Sequence, residues 1–432
     1  MGNKILRKKF SFIIFLGLLL SANGCSNSSN SSAEEVEFWT MQLQPKFTQY
    51  FANLNSNFEQ NQELPIRWID VPWSAMESKV LTAISANTAP DVVNLNPNFA
   101  SVLATRNAWV NIDEVISPQQ KAVYLPQIWQ ANSIEICEAE ACETTTFGVP
   151  WYLTTRVTIY NQQLLQQAGI QEAPTTYQEL ATTAGQIKEK TGKYAFFVTF
   201  VPGDSGEVLE SLVQMGVTLL DESGKAGFNT PEGIAAFNYW VDLYKQKLLP
   251  PEVLTQGHRY AIELYQGGEI ALLSSGAEFL EAIATNAPTI AEVSATAPQI
   301  TGKTGKKNVA VMNLAIPRNT DQPEEALNYA LYVTNTENQL AFAKAANVLP
   351  STKEAVDKYI QELATQETIT PIEEARKVSA MQLKDAEVLI PAMDNLQLLQ
   401  KVIYENLQAA MLEEKTVEQA VEDAANEWDS QM

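Results

Sequence analysis

From residue 35 the sequence switches its hydrophobic period again and again. Glu35 to Thr40 alternates with period two, as a strand does, and Phe47, Tyr50, Phe51, Leu54 and Phe58 then recur at helical spacing. Pro65 to Val71 reads as a second strand, with Met76, Val80, Leu81 and Ile84 on one helix face behind it; Asp91 to Leu95 and Pro97 to Thr105 repeat the pair. Strand and helix in alternation predict an α/β fold with a largely parallel sheet covered by helices on both faces. The chain has 432 residues, 45% of them apolar. That exceeds what one core holds, so two domains are expected.

The later sequence keeps both signals. Phe147 to Leu153 and Arg156 to Tyr160 read as extended. Thr176-Tyr-Gln-Glu179 is a capping box, with Tyr177, Leu180, Ala184 and Ile187 as the buried face of the helix it opens. Tyr194 to Phe200 reads as an aromatic strand, Thr230-Pro231 starts a helix with Phe237, Val241, Tyr244 and Leu248 in its stripe, and Glu269 to Leu273 and Asn308 to Ile316 are strand-like. From Pro323 nearly everything is helical, and Thr416 to Gln419 caps the last helix. No long linker separates the domains, so the chain is expected to cross between them more than once.

The first 24 residues read as an export signal. Lys4, Arg7, Lys8 and Lys9 precede an apolar run, Phe10 to Leu20, that is too short to span a bilayer as a mature helix. Ser21-Ala-Asn-Gly-Cys25 follows, and Ser26 to Ser32 holds only Ser and Asn. This resembles a lipoprotein signal: residues 1–24 are removed, Cys25 takes the lipid, and residues 25–34 form a flexible tether. Ala22 stands where such signals usually carry Leu, and ordinary cleavage near Ala22 to Gly24 is the alternative. Processing lowers Lys plus Arg from 29 to 25 against 51 Asp plus Glu, a net charge of −26. Such a surface repels nucleic acid and anionic lipid heads. Attachment to a membrane would come from the lipid alone. Cys137 and Cys142 favour a disulfide closing a small loop; a metal site is the alternative, and His258 is the sole histidine to support it.

Several stretches, in order, resemble the bacterial extracellular solute-binding proteins of carbohydrate importers, the maltose-binding-protein-like group. They are Lys79 to Val93, Gly148-Val-Pro-Trp-Tyr152, Tyr160-Asn161 with Ala168-Gly169, and Gln266-Gly-Gly-Glu-Ile-Ala271. Val311 to Pro317, Pro323-Glu-Glu-Ala326, Asn338-Gln339 and Leu349-Pro-Ser-Thr352 complete the set. The resemblance implies a two-lobe, type II periplasmic-binding-protein-like fold with interleaved lobes and a helical C-terminal region. It implies crossings near Trp151, Ile270 and Pro317, hence residues 35–150 and 271–316 in the N-terminal lobe and 151–270 and 317–432 in the C-terminal lobe. It further implies a monomer that closes about a hinge on its ligand and docks on the permease subunits of an ABC importer at the cell envelope. Neither cofactor nor metal is implied.

A neutral sugar needs flat aromatic surfaces and a few fixed donors and acceptors. Trp39 closes the first strand and Trp73 follows the second, at the strand ends where α/β proteins hold ligands, although burial as core is the competing reading for each. Asn96 either meets hydroxyls or caps the helix begun by Pro97. Trp151 and Tyr152 occupy the first implied crossing. Asp204, in Pro202-Gly-Asp-Ser-Gly206, either accepts from a hydroxyl or caps a helix. Glu278 and Phe279 follow the Glu269 strand, where relatives often place an aromatic, and the carboxylate suits a polar or amino-bearing ligand. Asn313 lies in the strand approaching the third crossing, and Arg376 either forks onto the ligand or pairs with Glu373 or Glu374. Trp109, Trp129, Trp240 and Trp428 fall on packing patterns, and His258 reads as a surface loop residue. A polyamine- or peptide-binding protein and an exported glycoside hydrolase are the competing functions; no catalytic motif or phosphate loop is visible.

Overall fold

The computed structural model describes residues 35–138, 141–365, 370–390, 393 and 395–431. The signal, the tether and Cys25 lie outside the described residues, as do the side chains of Cys137 and Cys142, although the backbones of those two residues pair directly across a hairpin.

Among the described residues twelve strands form in chain order: β1 (Val36–Met41), β2 (Ile66–Val71), β3 (Val92–Leu95), β4 (Ser133–Glu138), β5 (Ala141–Thr146), β6 (Val149–Thr155), β7 (Val157–Asn161), β8 (Leu272–Ser275), β9 (Ser294–Pro298), β10 (Lys307–Ala315), β11 (Leu349–Pro350) and β12 (Ala386–Glu387). A large sheet runs β11-β6-β10-β3-β1-β2, with β12 beside β10; a second sheet runs β8-β7-β9; β4 and β5 make a separate hairpin. The helices α1 (Thr48–Gln62), α2 (Trp73–Ser85) and α3 (Pro97–Ala104) follow the first three strands.

β1, β2 and β3 are parallel to one another, and the two-residue β12 runs parallel to β10. Parallel neighbours need a crossover connection, and α1 and α2 supply it for the first three strands. β10 runs antiparallel to β3 and β6, and the second sheet is wholly antiparallel, so the expectation of a largely parallel sheet fails beyond β3. Within β1, neighbouring residues enter opposite layers, as the pleat requires. Phe38 packs with Phe51, Leu54 and Phe58 of α1, whereas Trp39 joins Met76 and Val80 of α2.

The cores fall into two bodies. Buried apolar clusters drawn from 36–153 and 309–386 surround the large sheet. One extended cluster, drawn mainly from 157–283 and 399–428, surrounds the second sheet. This division corrects two expected boundaries. β8 and β9 pair with β7, so most of 271–316 belongs with the second sheet, and the helices Pro323–Val333, Thr336–Ala346 and Lys353–Ala364 pack on the large one. The expected strand Tyr194 to Phe200 is reduced to a single bridge, Tyr194 to Ile270.

The chain passes between the bodies at Arg156, between β9 and β10, and again after β12. Buried Gln382 ties the first two passages together. Its amide donates to Thr155 Oγ1 and to the Arg156 carbonyl, both at 2.7 Å, and its Oε1 accepts from the Gln299 amide at 3.1 Å.

Candidate functional site

A cleft of about 830 Å³ lies between the two bodies. The large-sheet body lines it with Glu77 and Leu81 of α2 and with Asn96 and Asn98 at the start of α3; the second body contributes Asp204 and Glu210; residues 308–311 of β10 and 395–398 complete it. Helix starts and the loops before them supply Asn96, Asn98, Asp204 and Glu210, and one face of α2 and part of β10 adjoin them.

Behind the wall of the second body lies a charged network around Arg156, of which Asp204, Glu210 and Gln400 reach the cleft lining. The Arg156 Nε meets Glu210 Oε2 at 3.1 Å, and its Nη2 donates to Ser205 Oγ at 3.2 Å. Ser205 is itself fixed, since its carbonyl accepts from Gln400 Nε2 at 2.5 Å and from the Tyr404 hydroxyl at 2.6 Å. Gly203 permits the turn that starts this loop, with φ at +80°, and its amide donates to Gln400 Oε1 at 2.9 Å. Asp204 accepts from the His258 amide at 2.6 Å, and the approach is so close that a Cβ on Gly257 would stand 2.2 Å from the carboxylate. The His258 ring sits between Glu207, at 3.9 Å, and Ser275 Oγ, at 3.5 Å.

Electrostatics follow from burial. Desolvation pushes the Glu207 and Glu210 carboxyls up, against the pull of Arg156, and it likewise raises Glu278. Burial, reinforced by Arg156, lowers the His258 imidazole to about 4 although Asp204 and Glu210 oppose it, so the ring is neutral near pH 7. His258 is therefore a half-buried member of the network, not a surface loop residue.

The expected site residues part company here. Asn96 and Asp204 line the cleft; the Asn96 side chain also caps α3, accepting from the Phe99 amide at 3.0 Å. Trp73 is 46% exposed at the start of α2, one and two turns before the cleft-lining Glu77 and Leu81. Tyr152 and Glu278 lie beside each other at the first passage, where burial and the Glu278 carboxylate raise the Tyr152 phenol, and half-buried Phe279 begins the next helix.

Four expected positions are corrected. Trp39 is 4% exposed, packed between β1 and α2 with the Lys79 ammonium 3.9 Å from its ring centre. Trp151 is 1% exposed and stacks on Phe342 at 4.8 Å. Asn313 is wholly buried, donating to Asn132 Oδ1 at 3.3 Å and closing on Gly148. Arg376 donates to Asn347 Oδ1 and lies by Tyr359, outside the cleft lining. For Trp39, Trp151 and Asn313 the strand turns the side chain into packing. Trp109, Trp129, Trp240 and Trp428 are buried as expected.

Sequence reasoning missed Arg156, Ser205, Glu207, Glu210 and Gln400. The signal was present in part: Asp204-Ser-Gly-Glu207 has the polar residues and early acid of a helix start. Nothing in linear spacing brings Arg156 or Gln400 to it.

Comparison with known proteins sets this geometry in a family. The model of the bacterial extracellular solute-binding proteins matches residues 41–340. The chain belongs to that family. A periplasmic-binding protein of Synechococcus sp. MITs9220, provisionally assigned to oligosaccharides, is 45% identical over 92% of this chain and 98% of its own, with a TM-score of 0.83, in a crystal structure containing zinc. Among the described residues of the present chain no group of three or more His, Cys, Asp or Glu is placed to hold a metal ion. The diacetylchitobiose-binding protein DasA of Streptomyces coelicolor is 23% identical over 84% of this chain and 86% of its own. Maltose-bound MalE3 of T. maritima shares the fold, with a TM-score of 0.72 at 22% identity over 92% of this chain and all of its own. The two bodies are thus the lobes of a type II periplasmic-binding fold, interleaved as the resemblance implied. No helix among the described residues is long and apolar enough to cross a membrane.

Proposed function

We propose that this protein is the solute-binding component of an ABC importer, capturing a small carbohydrate between its lobes and handing it to a membrane permease. The observation that carries the reading is the interlobe cleft of about 830 Å³, with amides and carboxylates on both walls. Asn98 and Asp204 stand on opposite sides, so one ligand rimmed with hydroxyls bridges them. The names of the relatives, which bind diacetylchitobiose, maltose and arabinooligosaccharides, support the same ligand class.

In this mechanism the ligand's contacts with both walls favour the closed arrangement, and they shift the hinge only by their difference between open and closed states. Gln382 holds the passages about which the lobes move. Trp73, Asn96 and Asp204 contact the ligand, while Tyr152, Glu278 and Phe279 shape the adjoining hinge side. The protein works as an exported monomer tethered through lipid on Cys25, and Cys137 and Cys142 are oxidised to each other. Detergent-phase partitioning lost on Cys25→Ser tests the tether.

A thermal-shift screen of the purified protein against mono-, di- and oligosaccharides, glucosylated polyols, polyamines and short peptides tests the ligand class. A ligand at about a thousandfold over its Kd stabilises the fold by about 4 kcal/mol. Hits among sugars support the reading, and hits among peptides alone overturn it. A polyamine is the second reading, favoured by the carboxylates of Glu77, Asp204 and Glu210 in the lining; response to polyamines and to no sugar would establish it. Turnover of a chromogenic glycoside would replace binding with hydrolysis.

A further inference from the structure

Away from the hinge passages the two lobes are tied a second time. Because β1, β2 and β3 are parallel, their C-terminal ends share one edge of the large sheet, and Lys46 follows β1 at that edge as Asn96 follows β3. Lys46 leads into α1 on one face of the sheet, whereas the cleft is lined from α2 and α3 on the other. Its ammonium meets Glu281 Oε2 at 2.7 Å. Glu281 lies in the first turn of the helix Phe279–Asn286, whose Leu280 and Ile283 are buried in the core of the second body. The same carboxylate oxygen accepts from Asn347 Nδ2 at 3.4 Å, and Asn347 closes the helix Thr336–Ala346 on the large-sheet body. Two donors of one lobe thus hold one carboxylate of the other.

We propose that Lys46, Glu281 and Asn347 form a clasp that holds the lobes part-closed along the α1 flank before any ligand arrives, leaving the α2–α3 flank as the ligand's way in. The inference rests on capture by hinge closure, as proposed above, and adds a contact that sets how far the lobes part. All three partners are side chains of this chain, so the clasp needs no ligand to form.

The large-sheet side presents its donors from fixed positions. The Leu43 and Gln44 amides donate to the Asp70 carboxylate at 2.9 Å each, which pins the loop carrying Lys46 to the end of β2. Asn347 is buried at φ +60°, a region that Asn tolerates better than most residues, and its Oδ1 accepts from Arg376 Nη2, which turns Nδ2 toward Glu281. The ion pair itself is open to solvent, its side chains 54% and 48% exposed. Such a pair is weak and is screened by salt, which suits a contact that has to part and re-form. The apparent Kd of a ligand rises as the binding-competent fraction of the protein falls. Loss of the clasp therefore weakens binding even of an uncharged ligand, without touching that ligand's own contacts.

The test is small-angle scattering of the purified protein with no ligand added, at about 20 mM and about 500 mM NaCl, between which screening rises steeply. The wild type is compared with Glu281→Gln, Lys46→Gln and Lys46→Arg, with circular dichroism to verify folding. The glutamine variants are expected to show a larger radius of gyration than the wild type at low salt. The wild type expands to match them at high salt, and Lys46→Arg stays with the wild type. Calorimetric titration with maltose, diacetylchitobiose and arabinotriose reads the consequence: the sugar that binds is held roughly two- to fivefold more weakly by the glutamine variants at low salt. Equal radii in wild type and variants overturn the inference and leave the carbohydrate reading standing, since no ligand enters that measurement. Wider variants that hold the sugar as tightly as the wild type overturn it too, because the clasp then plays no part in capture. The expected scattering result with none of the three sugars bound upholds the clasp and counts against the carbohydrate reading instead.

Discussion

The two walls of the cleft are built on opposite plans. On the large-sheet side the aromatic residues near the strand ends, Trp39 and Trp151, are turned inward and carry the core, and the cleft receives the short polar side chains of helix starts. On the other side the carboxylates of Asp204 and Glu210 reach the cleft, and Arg156 behind them compensates Glu210 and Glu207. Substitutions on the first wall should therefore act through packing, and those on the second through uncompensated charge. The difference teaches that being at a strand end does not make a residue a ligand contact; the face of the pleat decides.

The largest effects should fall on the residues that the two plans rely on most. Trp151→Ala removes a stacked, fully buried ring and should cost about 3–5 kcal/mol in denaturant unfolding, with ligand affinity of the folded fraction little changed. Lost binding at intact stability would instead make Trp151 part of the cleft and dissolve the contrast. Arg156→Met should cost a similar amount, about 3–5 kcal/mol, because it strands buried carboxylates. Adding Glu210→Gln should return most of that loss, whereas a neutral outcome for Arg156→Met would show that the second wall is not held by charge.

A pH titration sharpens the same point at smaller scale. The folded His258 ring, lowered to about 4, stays neutral while the unfolded ring gains a proton near pH 6.5, so the stability it contributes is complete above about 6.5 and is lost as pH falls toward 4. Glu207, Glu210 and Glu278 run the other way: their raised values favour the fold at low pH and weaken as pH rises through them. Comparing melting curves of the wild type with His258→Asn across pH 4–7 isolates the histidine limb, which should be absent in the variant. The smallest expected effect is at Trp73→Ala, within about 0.5 kcal/mol in stability and, where the ring stacks on sugar, about 0.5–1.5 kcal/mol in affinity, a two- to tenfold weakening.

Much of the fold was legible because its signals are local. The β1-α1-β2-α2-β3 order, the capping boxes at Thr176 and Thr416 and the cap at Thr230 all appear where the periodicity and cap residues put them. Pairing was not legible. β8 and β10 are both short apolar runs, and only their partners, β7 for one and β3 and β6 for the other, decide which lobe each joins. The site shows the same limit. Asn96 and Asp204 stand at helix starts and so were visible, while Trp39 and Asn313 were misplaced because alternation fixes which residues share a face but not which face meets the cleft. Arg156, Glu210 and Gln400 converge from segments 54 and more residues apart, a distance over which linear spacing carries no information.

The central claim, that one ligand bridges the two walls at Asp204, is tested most directly by calorimetric titration of a sugar hit into the wild type and Asp204→Ala, with unfolding measured in parallel. Loss of a hydrogen bond to a charged group is worth about 1.5–3 kcal/mol, so affinity should fall by roughly ten- to a hundredfold, while stability falls by about 0.5–1.5 kcal/mol for the bond to the His258 amide that is lost with it. Unaltered affinity in Asp204→Ala would place the ligand elsewhere and contradict the account.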